Sequence, residues 1–271
     1  MELTTKQLQE LKIVETELLR QFIRVCKQLN VNYYLLGGTL LGAVRHQGFI
    51  PWDDDIDVGM LREDYDKLMR EGQALLPEGL FLQNHVTDPD YPHNFGKLRN
   101  SRTTFVEYSM KDRAMNHGVY IDIFPLDYYP ETNQRWFWFR NMLLRLRITY
   151  AFSADILRPV TRLLRVFTLP LLPSLRGAIA KREKLFRSVT SGSRIANHCG
   201  AWGAKEIVPA HWYGEGTDVT FEGLTVRAPK EYASWLTQVY GDYMQLPPEE
   251  KRIPHHFVDA FDLEKPYHQH D

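Results

Sequence analysis

The chain has 271 residues, 44% of them hydrophobic, with 33 basic and 34 acidic side chains and two cysteines. That apolar content supports a substantial core, and near-neutrality removes the global positive field that would argue for nucleic acid as a partner. Cys26 and Cys199 supply neither a disulfide framework nor a four-ligand zinc site, which points to a reducing cytosol, and the charged start MELTTKQLQELK has no apolar signal core.

Leu8, Leu11, Leu18, Phe22, Val25 and Leu29 recur at helical spacing with Glu15 as the one polar interruption. This predicts an amphipathic helix over 5–29 with the stripe on the core. VNYYLL (31–36) reads as a short strand, Gly37-Gly38 as a turn, and TLLGAVRH as a helix over 39–46. GFIPW is a connection, because Pro51 disfavours helix at Ile50. Alternation resumes in Asp55-Ile56-Asp57-Val58, where a strand would place Asp55 and Asp57 on one face. REDYDKLMREGQALL predicts a helix over 62–76, and FLQNHV and NFGKLRNSRTTFVEY read as strands. GVYIDIFPLDYYP (118–130) is a short strand carrying Asp122 and closed by Pro125. DVTFEGLTVRAP (218–229) predicts a hairpin turning at Glu222-Gly223, and KEYASWLTQVYG a helix near the C-terminus. The mixed order of strands and helices predicts an α/β (α+β) core, read as one domain over 1–271.

Residues 135–187 differ in character. Ten Arg and two Lys face only Asp155 and Glu183, a net charge of +10, interleaved with Trp136, Phe137, Trp138 and Phe139. A basic, aromatic, helical insert is expected over about 131–190. It reads either as a cap whose arginines face water or as a surface lying on an anionic membrane. Nucleic acid is disfavoured for want of a base-reading motif. The uncharged stretch 166–175 is ten residues long and broken by Pro170 and Pro173, against the roughly 20 that a bilayer span requires.

Asp53, Asp54, Asp55 and Asp57 place four carboxylates in five positions. Two carboxylates about 4 Å apart repel by about 4 kcal/mol at an effective dielectric near 20. Protonation, a basic partner, full solvation or a metal ion could offset this. Same-face carboxylates at the end of a buried strand suit a hard cation such as Mg²⁺, which shares its oxygen ligands with phosphates. Gly37-Gly38-Thr39, between a strand and a helix, would bring backbone N–H groups toward a phosphate. Arg45 reads as a clamp on the acidic run or as a phosphate ligand, and Trp52 as a stacking platform or a core residue. Lys97, Arg99 and Arg102 could meet phosphate oxygens or defend a sheet edge. His255 and His256, adjacent on an irregular segment, are expected at the surface, and His198-Cys199 lacks partners at zinc-ligand spacing.

The string GGTLLGAVRHQGFIPWDDDIDVGM (37–60) resembles the hallmark of the LicD family, relatives of fukutin-type proteins. Its Gly-Gly turn followed by Asp-x-Asp is similar to the nucleotidyltransferase signature. KLRNSRTTF (97–105), HGVYIDIFPLD (117–127), FEGLTVRAP (221–229) and YGDYMQLPPEEKR (240–252) extend the resemblance over most of the chain outside 131–200. It implies a nucleotidyltransferase-like mixed sheet flanked by helices. The implied activity moves a phospho-alcohol, typically phosphocholine from CDP-choline, onto a cell-surface glycan such as lipopolysaccharide, capsule or teichoic acid, with Mg²⁺ or Mn²⁺. By match to the motif, Asp55, Asp57 and Asp122 are the metal-binding and catalytic carboxylates, and Gly37, Gly38 and Thr39 hold the donor phosphates. Lys97 and Arg99 are placed near the donor, and Arg45, Trp52, Asp53 and Asp54 belong to the matched string. Attack by an acceptor hydroxyl on the β-phosphorus would release CMP. The competing readings are attack on a nucleoside triphosphate with pyrophosphate release, a non-catalytic membrane- or glycan-binding protein, and a glycosyltransferase, which leaves the Gly-Gly turn unexplained. A lipid-linked acceptor would place the protein at the inner face of the cell membrane.

Overall fold

The computed structural model describes residues 2–152, 159–253 and 256–267. Helix α1 spans Thr5–Leu29. Thr4 caps it reciprocally with Gln7, and Asn30 ends it in the left-handed region at φ 52°. Leu11, Leu18, Leu19, Phe22 and Val25 form its buried stripe, with Leu8 and Leu29 half-buried at the margin, and Glu15 is buried on the same helix.

Strand β1 (Tyr34–Leu35) is only two residues of the expected 31–36, and α2 (Gly37–His46) begins two residues early. The glycine pair is therefore the first turn of a helix and not a separate turn. Strand β2 (Asp57–Leu61) leads directly into α3 (Arg62–Glu71), and a short 3₁₀ turn over Gly72–Leu75 replaces the last part of the expected helix. Strands β3 (Leu80–Gln83), β4 (Gly96–Asn100), β5 (Thr104–Glu107) and β6 (Val119–Tyr128) follow.

Pro125 does not close β6. Asp122 N donates to Ile56 O on the β2 side, so by alternation the nitrogen of residue 125 faces the opposite edge. There β4 ends opposite Ile123 and the next strand begins opposite Asp127, so the missing donor falls in a gap.

The main sheet runs β1-β2-β6-β4-β3, with β2 and β6 parallel and the other neighbours antiparallel. Val58, Leu82, Leu98, Ile121 and Ile123 share one face, which α1 and α3 cover. The opposite face is the more polar one, carrying Asp57, Lys97, Arg99 and Asp122 beside Tyr120, Phe124 and Leu126.

The basic segment folds into α4 (Gln134–Thr149), α5 (Pro159–Thr168) and α6 (Leu175–Phe186). Phe137, Leu185 and Phe186 build a small core there with Tyr129 and Ala196. Strand β7 (Arg194–Ala196) extends the far half of β6, and β8 (Ile207–Pro209) pairs with β7. Strands β9 (Thr217–Phe221) and β10 (Leu224–Ala228) form the expected hairpin, with Glu222 and Gly223 at φ 47° and 72° as a two-residue turn of this hand requires. Glu222 then accepts from Phe49 N at 3.0 Å and donates its own N–H to Gln47 O, fixing the connection that leads to the acidic run. Helix α7 (Tyr232–Tyr240) follows, and β11 (Val258–Asp262) pairs with β5. Among the described residues no helix is long and apolar enough to cross a membrane.

Arg62 fastens the insert to the sheet. Its fork donates to both oxygens of Asp127 at 2.8 and 2.6 Å, and its remaining nitrogen reaches Glu183 of α6 at 2.7 Å. Replacing it with Met leaves the buried Asp127 carboxylate without its cation. We expect Arg62→Met to lose about 3 kcal/mol or more in urea unfolding, and the Arg62→Met/Asp127→Asn double variant to lose less.

Candidate active site

Register builds the centre of the site. Asp57 opens β2 and lies opposite Asp122 of β6, which in turn lies opposite Lys97 of β4, so acid, acid and base form one row across the polar face. Lys97 Nζ sits 2.9 Å from Asp122 Oδ1 and 3.5 Å from Glu107 Oε2, with the Tyr120 ring centroid 3.2 Å away. Burial opposes the charge on Glu107, but Lys97, His256 and Arg99 outweigh it and hold this carboxyl below its ordinary range.

The acidic run approaches this row from the connection. Asp53, Asp54 and Asp55 each bring a carboxylate oxygen within 4.8 Å of the others. Asp54 turns to the C-terminal segment, accepting from His256 N at 3.0 Å and meeting His256 Nδ1 at 3.1 Å. Pairing of β11 with β5 delivers that residue. His256 is thus part of the site, contrary to the surface position expected; His255 lies outside the described residues. Burial lowers the affinity of the His256 ring for a proton. Its bond to Asp54 and the charges of Asp55, Asp54 and Glu107 more than reverse this, raising its pKa to about 10.

Burial, followed by Asp55 and Asp122, raises the pKa of Asp57 well above the carboxylate range, and burial with Asp55 and Asp54 does the same to Asp53. Burial also raises Asp122, although Lys97 pulls in the opposite direction.

The glycine pair clears space for these groups. A Cβ on Gly37, whose φ is 53°, would lie 2.8 Å from Asp57 Oδ2, and one on Gly38 would overlap Asp53 Oδ2. Thr39 Oγ1 accepts from Asp57 N at 2.8 Å, and Leu36 N donates to Asp57 O at 3.0 Å, so the start of α2 is tied to the start of β2. Leu36 at the N-cap gives α2 no side-chain hydrogen bond.

A cavity of about 860 Å³ opens over this surface, lined by Gly37, Gly38, Asp53, Asp55, Asp57 and Asp122 together with Arg45 and Trp52. Thr39, Asp54, Lys97 and Arg99 stand behind it. Arg99 is fully buried, donating to Gln83 Oε1 at 2.5 Å and Gly118 O at 2.7 Å. Arg45 joins α2 to the segment after α7 through Tyr243 O at 3.0 Å and contacts His46 at 3.0 Å, not an aspartate. Trp52 packs partly against the core and carries the Arg252 guanidinium 5.5 Å from its ring centroid. His198 stacks on Phe186 with centroids 4.5 Å apart.

The sequence reading missed Asn94, Arg182, Trp202, Glu206 and Tyr240, which also line the cavity. Tyr240 opens one of the stretches already singled out, and Arg182 was one of ten arginines in the insert with nothing local to distinguish it. The donor set facing the cavity is carboxylate oxygen, its ionisation opposed by burial and mutual repulsion, with glycines making room for it. These residues fit a hard divalent cation.

Residues 30–167, half of the chain, match the family described as LicD/FKTN/FKRP, nucleotidyltransferase domain. The lipopolysaccharide cholinephosphotransferase LicD of Haemophilus influenzae is 29% identical over 271 residues, covering 94% of this chain and 98% of that protein. The human ribitol 5-phosphate transferase FKRP is 48% identical over 79 residues, 28% of this chain and 16% of that protein. The mouse ribitol-5-phosphate transferase FKTN is 31% identical over 122 residues, 44% of this chain and 22% of that protein. All three relatives are named as transferases. With the glycine pair, the acidic run and Asp122 all inside the matched residues, the chain belongs to the LicD/FKTN/FKRP nucleotidyltransferase-domain family.

Proposed function

We propose that this protein transfers a phospho-alcohol, phosphocholine from CDP-choline, to a hydroxyl of a cell-surface glycan, releasing CMP. The observation that carries this reading is the convergence of Asp55, Asp57 and Asp122 with the start of α2 in one cavity of about 860 Å³, room enough for a nucleotide-sized ligand. Similarity along 94% of the chain to a lipopolysaccharide cholinephosphotransferase supports the choice of alcohol and of acceptor.

Asp55, Asp57 and Asp122 would hold Mg²⁺ or Mn²⁺, which when bound neutralises the donor diphosphate and the departing CMP. The N–H groups of Gly37 and Gly38 receive donor phosphate oxygens at a helix start. Thr39 fixes the backbone of Asp57, and the bidentate contact from His256 turns Asp54 away from the cavity, leaving Asp53, Asp55 and Asp57 to face it. The new bond joins the acceptor oxygen to the β-phosphorus as the bond from that phosphorus to the CMP oxygen breaks. The hydroxyl proton passes to a carboxylate oxygen of Asp122. Lys97, paired with the same side chain, holds it in place.

The insert supports a membrane-borne acceptor. Trp136, Trp138 and Phe167 are 61%, 59% and 68% exposed in a segment of net charge +10, a composition suited to the interface of an anionic bilayer. Under this reading the protein works peripherally at the inner face of the membrane on a lipid-linked glycan.

Incubation with CDP-choline, Mg²⁺ and a glycan extract should release CMP, and CDP-ethanolamine or CDP-ribitol should be poorer donors. Asp57→Asn should lose roughly 10³-fold or more in rate with an unchanged circular dichroism spectrum. Full activity in that variant would rule out the mechanism, and pyrophosphate release from a nucleoside triphosphate would replace the donor. In flotation assays the protein should rise with vesicles containing phosphatidylglycerol and not with pure phosphatidylcholine, and high salt should release it. Failure to float at low salt would reduce the insert to a cap.

A further inference from the structure

Part of the cavity wall is built by the insert, and it holds a buried arginine that forms no ion pair among the described residues. Arg182 of α6 is 5% exposed, and its partners are neutral. Nε donates to Asn141 Oδ1 at 2.8 Å, Nη2 to His198 O at 2.8 Å, and Nη1 to Asn94 Oδ1 at 3.2 Å and Cys199 Sγ at 3.9 Å. Among the described residues it forms no ion pair. The adjacent Glu183 turns elsewhere, to Arg62 at 2.7 Å and Arg187 at 2.9 Å. Burial presses against the Arg182 charge and the neighbouring Arg145 guanidinium adds to that pressure, while Cys199 and Glu183 act in the opposite direction. Arg145, exposed on α4, lines the same cavity.

A guanidinium cannot relieve such pressure by losing its proton at neutral pH. Arg182 is instead pinned by four acceptors and kept charged, so its geometry is set before any ligand arrives. Asn94 is oriented too: its Nδ2 donates to Ile179 O at 3.0 Å, which turns Oδ1 toward Arg182. His93 beside it is half-buried, its pKa lowered to about 3 by burial and then by Lys97. Two positive charges thus line the cavity, and among the described residues no carboxylate is ion-paired to the buried one.

We infer that Arg145 and Arg182 form a phosphate-binding subsite that works without divalent metal and is distinct from the carboxylate centre. A dianionic phosphate ester offers the charge to match two guanidiniums and oxygens that accept from the exposed Arg145 and from the N–H of Arg182 left over by its four acceptors. The phosphate belongs either to the nucleotide donor or to a phosphorylated acceptor. The inference rests on reading the cavity as the substrate site, but not on the identity of the donor.

The test uses the full chain in EDTA, so that no metal can hold the ligand, with inorganic phosphate, CMP and glycerol 3-phosphate as probes in calorimetry and ³¹P NMR. Saturable binding is expected in the wild type and in Asp57→Asn. Arg145→Gln and Arg182→Gln should each weaken it by about tenfold or more, the loss of one charge-assisted hydrogen bond. Arg145 is exposed, so its variant reads the site even where Arg182→Gln fails to fold. Preferential binding of CMP assigns the subsite to the donor, and preferential binding of glycerol 3-phosphate assigns it to a phosphorylated acceptor. Absence of metal-free binding by all three probes, or unchanged affinity in folded Arg145→Gln, would overturn the inference. Binding by a wild type that, given Mg²⁺ and a glycan extract, does not turn over CDP-choline would sink the proposed donor and leave the subsite standing.

Discussion

Burial and like charge both oppose ionisation of a carboxylate, and this fold applies both to the same few side chains. Asp57 and Asp122 meet in register on parallel strands, and Asp53 and Asp55 are brought against them by the connection from α2. Much of the surrounding structure holds that arrangement in place. Glu222 at the tip of the β9–β10 hairpin fixes the connection, Thr39 ties α2 to β2, and β11 delivers His256 to Asp54. An arrangement that disfavours its own charge is stabilised by whatever cation enters it. That is the physical ground for the proposed cation at this face of the sheet.

The cavity has two electrostatic ends. The carboxylates stand on the sheet, while Arg145 and Arg182 stand on the helical insert, which Arg62 fastens to β6 and α6. Under the proposed reading a phosphate-bearing substrate would complement both, its oxygens meeting the guanidiniums while the carboxylates would hold the metal ion. The insert thereby gains a second use beside any contact with a membrane, since its outer surface is aromatic and its inner surface is the cavity wall.

What could be read in advance was what is encoded locally. Heptad-spaced leucines placed α1, Glu222-Gly223 placed the hairpin turn, and Asp55-Ile56-Asp57 with the preceding glycines marked the candidate site, although the strand expected from Asp55 begins only at Asp57. Pro125 misled because its missing donor matters only if a strand lies on that side, and the gap between β4 and β7 is a property of the assembled sheet. His256 and Arg182 were hidden for a similar reason. Neither is distinguished from its sequence neighbours, and its partners (Asp54 for one, Asn94 and Asn141 for the other) are distant in sequence. Lys97 and Arg99 show a subtler limit. Both sit on the strand foreseen for them, yet their cationic ends serve Asp122, Glu107, Gln83 and Gly118 behind the cavity wall.

Titration of the metal-free protein with Mg²⁺ or Mn²⁺, followed by calorimetry and thermal unfolding, asks the central question most directly. If the buried carboxylates are held together for a cation, the wild type will bind saturably and its Tm will rise with metal. Asp57→Asn will begin more stable without metal, because one source of repulsion is gone, and will gain little on metal addition. A wild type that neither binds divalent ions nor gains stability from them, or an Asp57→Asn variant that binds them equally well, would contradict the account.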